Sequence, residues 1–246
     1  MRSLMFNNNF KFLIVGAGRG GTSLLAGLLD YHPQLEVGFE LYASAYLMGN
    51  KISYDGPKLF QERAKTFADA CKRHGDNHRD VYWGNKITTE QIYCLEADTK
   101  TYNAKQVDVL DAFFNKYLKK TKVVFVLRDG RACINSKINR TGQPLELACE
   151  RWQYSVKCYK FFQTRHSNNI CVRFEDLLLK PQATLTSICE FLKVPYTDEM
   201  LKGTGNDKML TDYQSDKLDT SKVKPAELPA ECMEKITEDL KYCGYL

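Results

Sequence analysis

Residues 12–30 read FLIVGAGRGGTSLLAGLLD, and the fold class follows from how that stretch divides. Phe12, Leu13, Ile14 and Val15 form an apolar run long enough for a buried strand and too short for a helix. Gly16, Gly18, Gly20 and Gly21 then surround Arg19, after which Thr22 and Ser23 open an apolar LLAGLL segment with helical spacing. Strand, glycine-rich turn and helix N-terminus in that order make an anion cradle. The glycines let backbone N–H groups approach a ligand closely, and the helix dipole favours negative charge there.

The same motif narrows the anion. Gly16-x4-Gly21-Thr22-Ser23 nearly repeats the P-loop spacing, but Thr22 stands where nucleotide-hydrolysing loops carry lysine. Without that lysine, no side chain of the loop reaches the β and γ phosphates, which argues against ordinary ATP or GTP hydrolysis. Gly16-x-Gly18-x-x-Gly21 also fits the dinucleotide fingerprint, whose check is an acidic residue about 20 positions on, ending a second strand. Glu36 and Glu40 fall in that range, yet residues 36–48 read as the approach to a helix, with Gly38, Phe39 and Glu40 entering it.

Around this stretch the chain has 246 residues, which suits one large α/β domain over 1–246 with room for a sizeable core. Hydrophobic residues make up 43% and charged residues 26%, the balance of a soluble globular protein. A net charge of +5 without a long Lys/Arg block fits a locally held anion better than a nucleic-acid surface. Residues 1–10 lack the apolar core of a secretory leader, and no apolar run approaches the roughly 18 residues of a membrane span. Nine cysteines, scattered without a CxxC pair or zinc spacing, read as reduced thiols of a cytoplasmic protein. Neither nucleic acid nor membrane is expected as a partner. A homodimer is compatible with the sequence but not legible in it.

Outward from the cradle, further strands are expected at 81–86, 122–127 and 169–174. Helices are expected at 58–73, 105–119, 145–165, 183–192 and 232–242, and around Ser136 and Arg140. His32, before Pro33 in a turn, reads as structural, whereas His74 and His78 read as solvated members of a hydrophilic loop over 73–79. Strands alternating with helices give a three-layer, P-loop-like α/β fold: a central, mostly parallel sheet flanked by helices. Ligands of such sheets bind at the carboxyl ends of the strands, which would bring Arg19, Lys86 and Arg128 to one rim. Ser136 lies eight residues after Arg128, and Arg140 four beyond it on the same helical face. An arginine fork beside a hydroxyl can grip a phosphate.

These residues carry a family resemblance. The loop from Arg19 to Leu25 is similar to the 5′-phosphosulfate loop of the 3′-phosphoadenosine 5′-phosphosulfate (PAPS)-dependent sulfotransferases, and residues 127–136, LRDGRACINS, resemble their 3′-phosphate motif. Residues 172–177, VRFEDL, followed by Lys180-Pro181 and a helix ending Glu190-Phe191-Leu192, resemble the family's next strand and helix. Within that superfamily the pattern is most similar to the tyrosylprotein sulfotransferases, through Leu29-Asp30-Tyr31-His32-Pro33, Gly38-Phe39-Glu40, Asn85-Lys86 and Arg140. The pieces stand in the same order from residue 12 to about 225.

The resemblance implies a transferase that moves a sulfuryl group from PAPS to an acceptor hydroxyl of a small molecule, glycan or tyrosine. It implies that Arg19, Gly20, Gly21, Thr22 and Ser23 bind the 5′-phosphosulfate and that Arg128, Ser136 and Arg140 bind the 3′-phosphate. Glu40 would be the base; Lys86, with Arg19, would stabilise charge in the transition state; no metal is required. Residues 40–105 would carry acceptor-side insertions, and 202–229 a polar loop covering the cofactor, with Ser221 and Lys224 touching it. The sequence departs from the family at Gly20, in place of a serine; at Phe174, in place of a cofactor-contacting tyrosine; and at Phe39, in place of an acidic neighbour of Glu40. A P-loop kinase or NTPase, and a catalytically silent nucleotide-binding relative, are the competing readings.

Overall fold

In the computed structural model, which describes residues 9–51, 56–78, 80–102 and 107–246, the apolar run forms β1 (Phe10–Gly16) at the centre of a sheet. Phe12 and Ile14 pack into one apolar cluster with Leu25 and Leu28 of α1 (Thr22–Asp30). Leu13 and Val15 enter a second, larger cluster with Trp83, Ile92 and Phe125. A strand buried on both faces has no solvent side, which is why its sequence is continuously apolar rather than alternating. Burying each such side chain contributes about 1.5–3 kcal/mol.

The chain continues through β2 (Leu35–Phe39), α2 (Leu59–Asn77), β3 (Tyr82–Thr88) and α3 (Thr89–Tyr102). A short α4 (Val109–Asp111) runs into a π-helical turn, Ala112–Tyr117, before β4 (Lys122–Leu127), α5 (Gly130–Thr141), α6 (Leu145–Thr164) and β5 (Asn169–Arg173). Next come α7 (Phe174–Leu179), α8 (Pro181–Leu192), three 3₁₀ segments between Asp198 and Val223, and α9 (Ala230–Tyr242). All strand pairs are parallel, in the order β2-β3-β1-β4-β5. β3 and β4 flank β1 on opposite sides, so a crevice opens at the carboxyl ends there, the switch-point position for ligands in such sheets.

Three expectations need correction. Residues 35–39 form a strand, not a helix entry: Leu35 and Val37 face the α1 cluster while Glu36 and Gly38 face the other way. Glu40 therefore does follow a second strand, but β3 separates β2 from β1, unlike the neighbouring strands of a dinucleotide-binding fold. The proposed 73–79 loop is largely helix, because α2 runs on to Asn77. Two helices were not anticipated. In α3 the polar side chains of Thr89, Gln91, Glu96 and Thr99 are buried beside Ile92 and Leu95, which breaks the apolar period; in α7 only six residues follow β5.

His32 is structural, its Nε2 2.6 Å from the Pro195 carbonyl and its Nδ1 accepting from the Gln34 N–H at 3.0 Å. All nine cysteines are free thiols. No helix among the described residues is long and apolar enough to cross a membrane. The leader reading of residues 1–10 and the first residues of the 105–119 helix fall partly outside the described residues.

Candidate active site

The glycine loop holds its shape through backbone conformations few residues adopt. Gly21 has φ +94°, and a Cβ there would stand 2.1 Å from the Phe174 ring. Arg19 itself is left-handed, φ +69°, a strained state for a non-glycine residue that often marks a functional loop. The Gly20 N–H closes the turn onto the Ala17 carbonyl at 2.8 Å, and a Cβ at Gly20 would lie 2.7 Å from that same oxygen. Glycine at this position is thus a steric requirement of the turn. Gly20→Ser is expected to lower stability by roughly 1–3 kcal/mol without tightening anion binding, measured by urea unfolding and calorimetry. A stable variant with higher affinity would contradict this.

Two arginines are fastened to the loop. Arg19 Nε donates to Ser136 Oγ at 3.0 Å, and Arg128 Nη1 donates to the Arg19 carbonyl at 2.8 Å. Arg128 Nη2 donates to the Lys222 carbonyl at 3.1 Å, while its buried Nε has no partner. The Arg128 guanidinium lies 4.3 Å from the centre of the Phe174 ring, so the residue replacing tyrosine serves as a flat support. Tyr213 does the same for Arg19 at 4.5 Å and stands 6.0 Å from Arg140. Burial pulls the Arg19 guanidinium below its ordinary pKa, and Arg140 and Arg128 push in the same direction. Like charges gathered this way, with an unpaired buried donor among them, suit an anion placed between them.

The second half of the site comes from β2 and β3. Lys86 Nζ lies 2.5 Å from Glu40 Oε1, with the lysine side chain 5% and the carboxylate 39% exposed. The other carboxylate oxygen accepts from Gln91 Nε2 at 2.7 Å, and Gln91 Oε1 in turn accepts from the Thr88 N–H at 2.9 Å. Glu40 has φ +59°, and its N–H donates to the Lys86 carbonyl at 2.8 Å, extending the β2–β3 pairing to the cleft. Behind it the π-helical turn Ala43–Leu47 is clamped by buried Arg63, which donates to the carbonyls of Tyr46 at 2.8 Å and Leu47 and to Asp98 at 2.7 Å.

Of the residues singled out in the sequence, Arg19, Gly21, Thr22, Ser23, Glu40, Lys86, Arg128, Ser136, Arg140 and Phe174 line a single cleft. Gly20 shapes the turn without lining it. In the late loop, Asp219 and Lys222 line the cleft instead of Ser221 and Lys224. The Ser221 N–H and hydroxyl both donate to Asp219 Oδ1, at 3.1 and 2.6 Å, in the turn that Asp219 caps, and Lys224 is exposed. Gln91, Glu90 and Tyr213 contact Glu40, Gly18 and Arg19 of the cleft and were not singled out in the sequence. Tyr213 had one legible signal, an aromatic residue in an otherwise polar stretch.

This arrangement sets a group of arginines on a glycine loop, suited to separated anionic groups, beside a carboxylate–lysine pair. The chain belongs to the sulfotransferase family, whose model matches residues 12–198. It is 25% identical over 213 residues to protein-tyrosine sulfotransferase A of Caenorhabditis elegans, covering 80% of this chain and 53% of the relative. To the protein-tyrosine sulfotransferase of Drosophila melanogaster it is 23% identical over 220 residues, covering 81% and 41%. The chain thus spans about half the length of these curated relatives or less. In fold it matches the sulfotransferase domain of the Synechococcus PCC 7002 olefin synthase, with TM-score 0.68, 19% identity, and 96% and 94% of the two chains covered. The sulfotransferase domain of the curacin biosynthetic pathway matches with TM-score 0.63 and 17% identity over 93% and 96%.

Proposed function

We propose that this protein transfers a sulfuryl group from PAPS to an acceptor hydroxyl. The carrying observation is the cleft itself: the glycine loop, the Arg128–Ser136–Arg140 group and the Glu40–Lys86 pair all line it. When bound, PAPS supplies an activated sulfuryl group on a phosphate leaving group. The loop N–H groups with the Thr22 and Ser23 hydroxyls would hold the 5′ end. Ser136, Arg140 and the Arg128 guanidinium would hold the 3′-phosphate.

Glu40 accepts the acceptor's proton, and Lys86 neutralises charge on the transferring oxygens. Because the two are paired at 2.5 Å, Lys86 leaves Glu40 Oε1 for the sulfuryl group as the donor enters. That movement frees one carboxylate oxygen for the acceptor while Gln91 keeps the other in place. Reaction then rests on positioning and charge stabilisation.

Thermal stabilisation by 3′,5′-ADP without metal, set against ATP with Mg²⁺, tests the donor. Preference for ATP with Mg²⁺ would point instead to a kinase or NTPase. Turnover with a tyrosyl peptide, a simple phenol and a sugar alcohol tests catalysis and acceptor together; the names of the curated relatives put the peptide first. Arg128→Ala is expected to weaken 3′,5′-ADP binding roughly 10–100-fold, the scale of a lost charged hydrogen bond. Calorimetry showing unchanged affinity would remove Arg128 from the 3′-phosphate site.

A further inference from the structure

Three ligand-type side chains converge where β2 begins, away from the cleft. Leu35 and Val37 turn toward α1, so Glu36 points to the face on which α2 packs. His74 and His78 stand four residues apart at the end of α2, the spacing that puts two imidazoles on one helical face. His78 Nδ1 is 2.6 Å from Glu36 Oε2, and the two imidazole rings stack with centroids 4.7 Å apart. One ligand atom from each of the three residues lies within 4.8 Å of the others.

The surroundings resemble those of a built site. The Tyr42 hydroxyl lies 2.9 Å from His74 Nδ1, and the Trp83 ring supports His74 at 4.5 Å. An outer partner on one ring nitrogen fixes the tautomer and leaves the other lone pair for a cation. Lys208, whose charge also reaches His74, is paired with Asp30 at 2.8 Å. Asn9 Nδ2 donates to the His78 carbonyl at 3.0 Å and holds the helix end in place.

We propose that Glu36, His74 and His78 bind a divalent transition-metal ion of the zinc type, with water completing the coordination. Two imidazoles and one carboxylate form a ligand set suited to that ion. The cation takes the place of the direct His78–Glu36 contact, among three ligand atoms that already lie within 4.8 Å of one another. The ion then staples the end of α2 to the edge strand. Glu36 precedes Glu40 by four extended residues, roughly 13 Å, so the role is structural rather than catalytic.

Titration of metal-free full-length protein with Co²⁺ tests this. Expected are one ion per chain at micromolar concentration, visible d–d absorption without thiolate charge-transfer bands, displacement by Zn²⁺, and a Zn²⁺-dependent rise in Tm. Tyr42→Phe should weaken binding about 10-fold, the scale of a lost outer partner. His74→Ala and Glu36→Gln should weaken it further, and 3′,5′-ADP binding should not change. The proposal is overturned if no ion binds, if binding survives the His74→Ala/His78→Ala double variant, or if thiolate bands assign the ion to cysteines.

Discussion

Lys86→Ala is expected to lower turnover roughly 10²–10³-fold, the effect of removing one preorganised charge from the transferring group. The affinity for 3′,5′-ADP should stay nearly unchanged, because the groups proposed for the phosphates lie on the glycine loop, at Arg128 just after β4 and on α5, not on β3. Lys86 is suited to this role by burial: its side chain is 5% exposed, and the Phe39 ring lies 5.9 Å from its ammonium. A charge held where water is sparse acts more strongly on a neighbouring anion than the same charge in solvent. Glu40→Gln should cost a similar factor, about 10²–10⁴, by removing the proton acceptor while keeping a group that Gln91 and Lys86 can still position. Both losses should fall on kcat rather than on donor affinity. Near-normal kcat in Lys86→Ala would refute the role given to the ammonium, and near-normal kcat in Glu40→Gln would refute the base.

What the sequence disclosed was governed by how strongly burial constrains each position. β1 and β4 are buried on both faces, and their apolar runs were readable, β4 to the residue and β1 through its inner residues 12–15. β2 was missed because an edge strand of five residues with Gly38 in it carries too little pattern to distinguish from a helix entry. α3 was missed for the opposite reason. Its buried face uses Gln91 and Glu96, which have partners far away in sequence: Gln91 meets Glu40, and Glu96 meets Tyr154 at 2.8 Å and Lys157 at 2.7 Å. The rim residues were legible because glycine spacing and strand ends are local signals. Tyr213 under Arg19, and Lys222 in place of Lys224, depend on how a long polar segment folds back over the cleft. No local rule fixes that path. Gly20 changed meaning most: read as a lost hydroxyl, it is in the structure the residue that lets the turn close on Ala17.

Glu90→Ala is expected to destabilise the protein by about 3–5 kcal/mol, because it leaves a buried lysine without its counter-charge. Glu90 opens α3 and sends one oxygen to the Gly18 N–H at 2.8 Å and the other to Lys137, with the two side chains 14% and 5% exposed. Gly18 allows this approach, since a Cβ there would stand 3.0 Å from the carboxylate. Lys137 follows Ser136 directly, so α5 ties the glycine loop twice: through Arg19 to Ser136 and through Glu90 to Lys137. Losing the second tie should therefore also weaken 3′,5′-ADP binding, although neither residue is assigned to the ligand. Glu90→Gln keeps an acceptor for Gly18 but not the charge, and should cost less than alanine. Adding Lys137→Met to Glu90→Gln should restore most of the stability, because a buried ion pair replaced by neutral groups of similar volume is often nearly neutral. Urea midpoints for the singles and the double form the cycle. Single variants within about 1 kcal/mol of the parent would mean that the pair is solvated and not structural, as exposed ion pairs are. Stability restored in the double variant without restored nucleotide affinity would instead move Lys137 into the binding site itself.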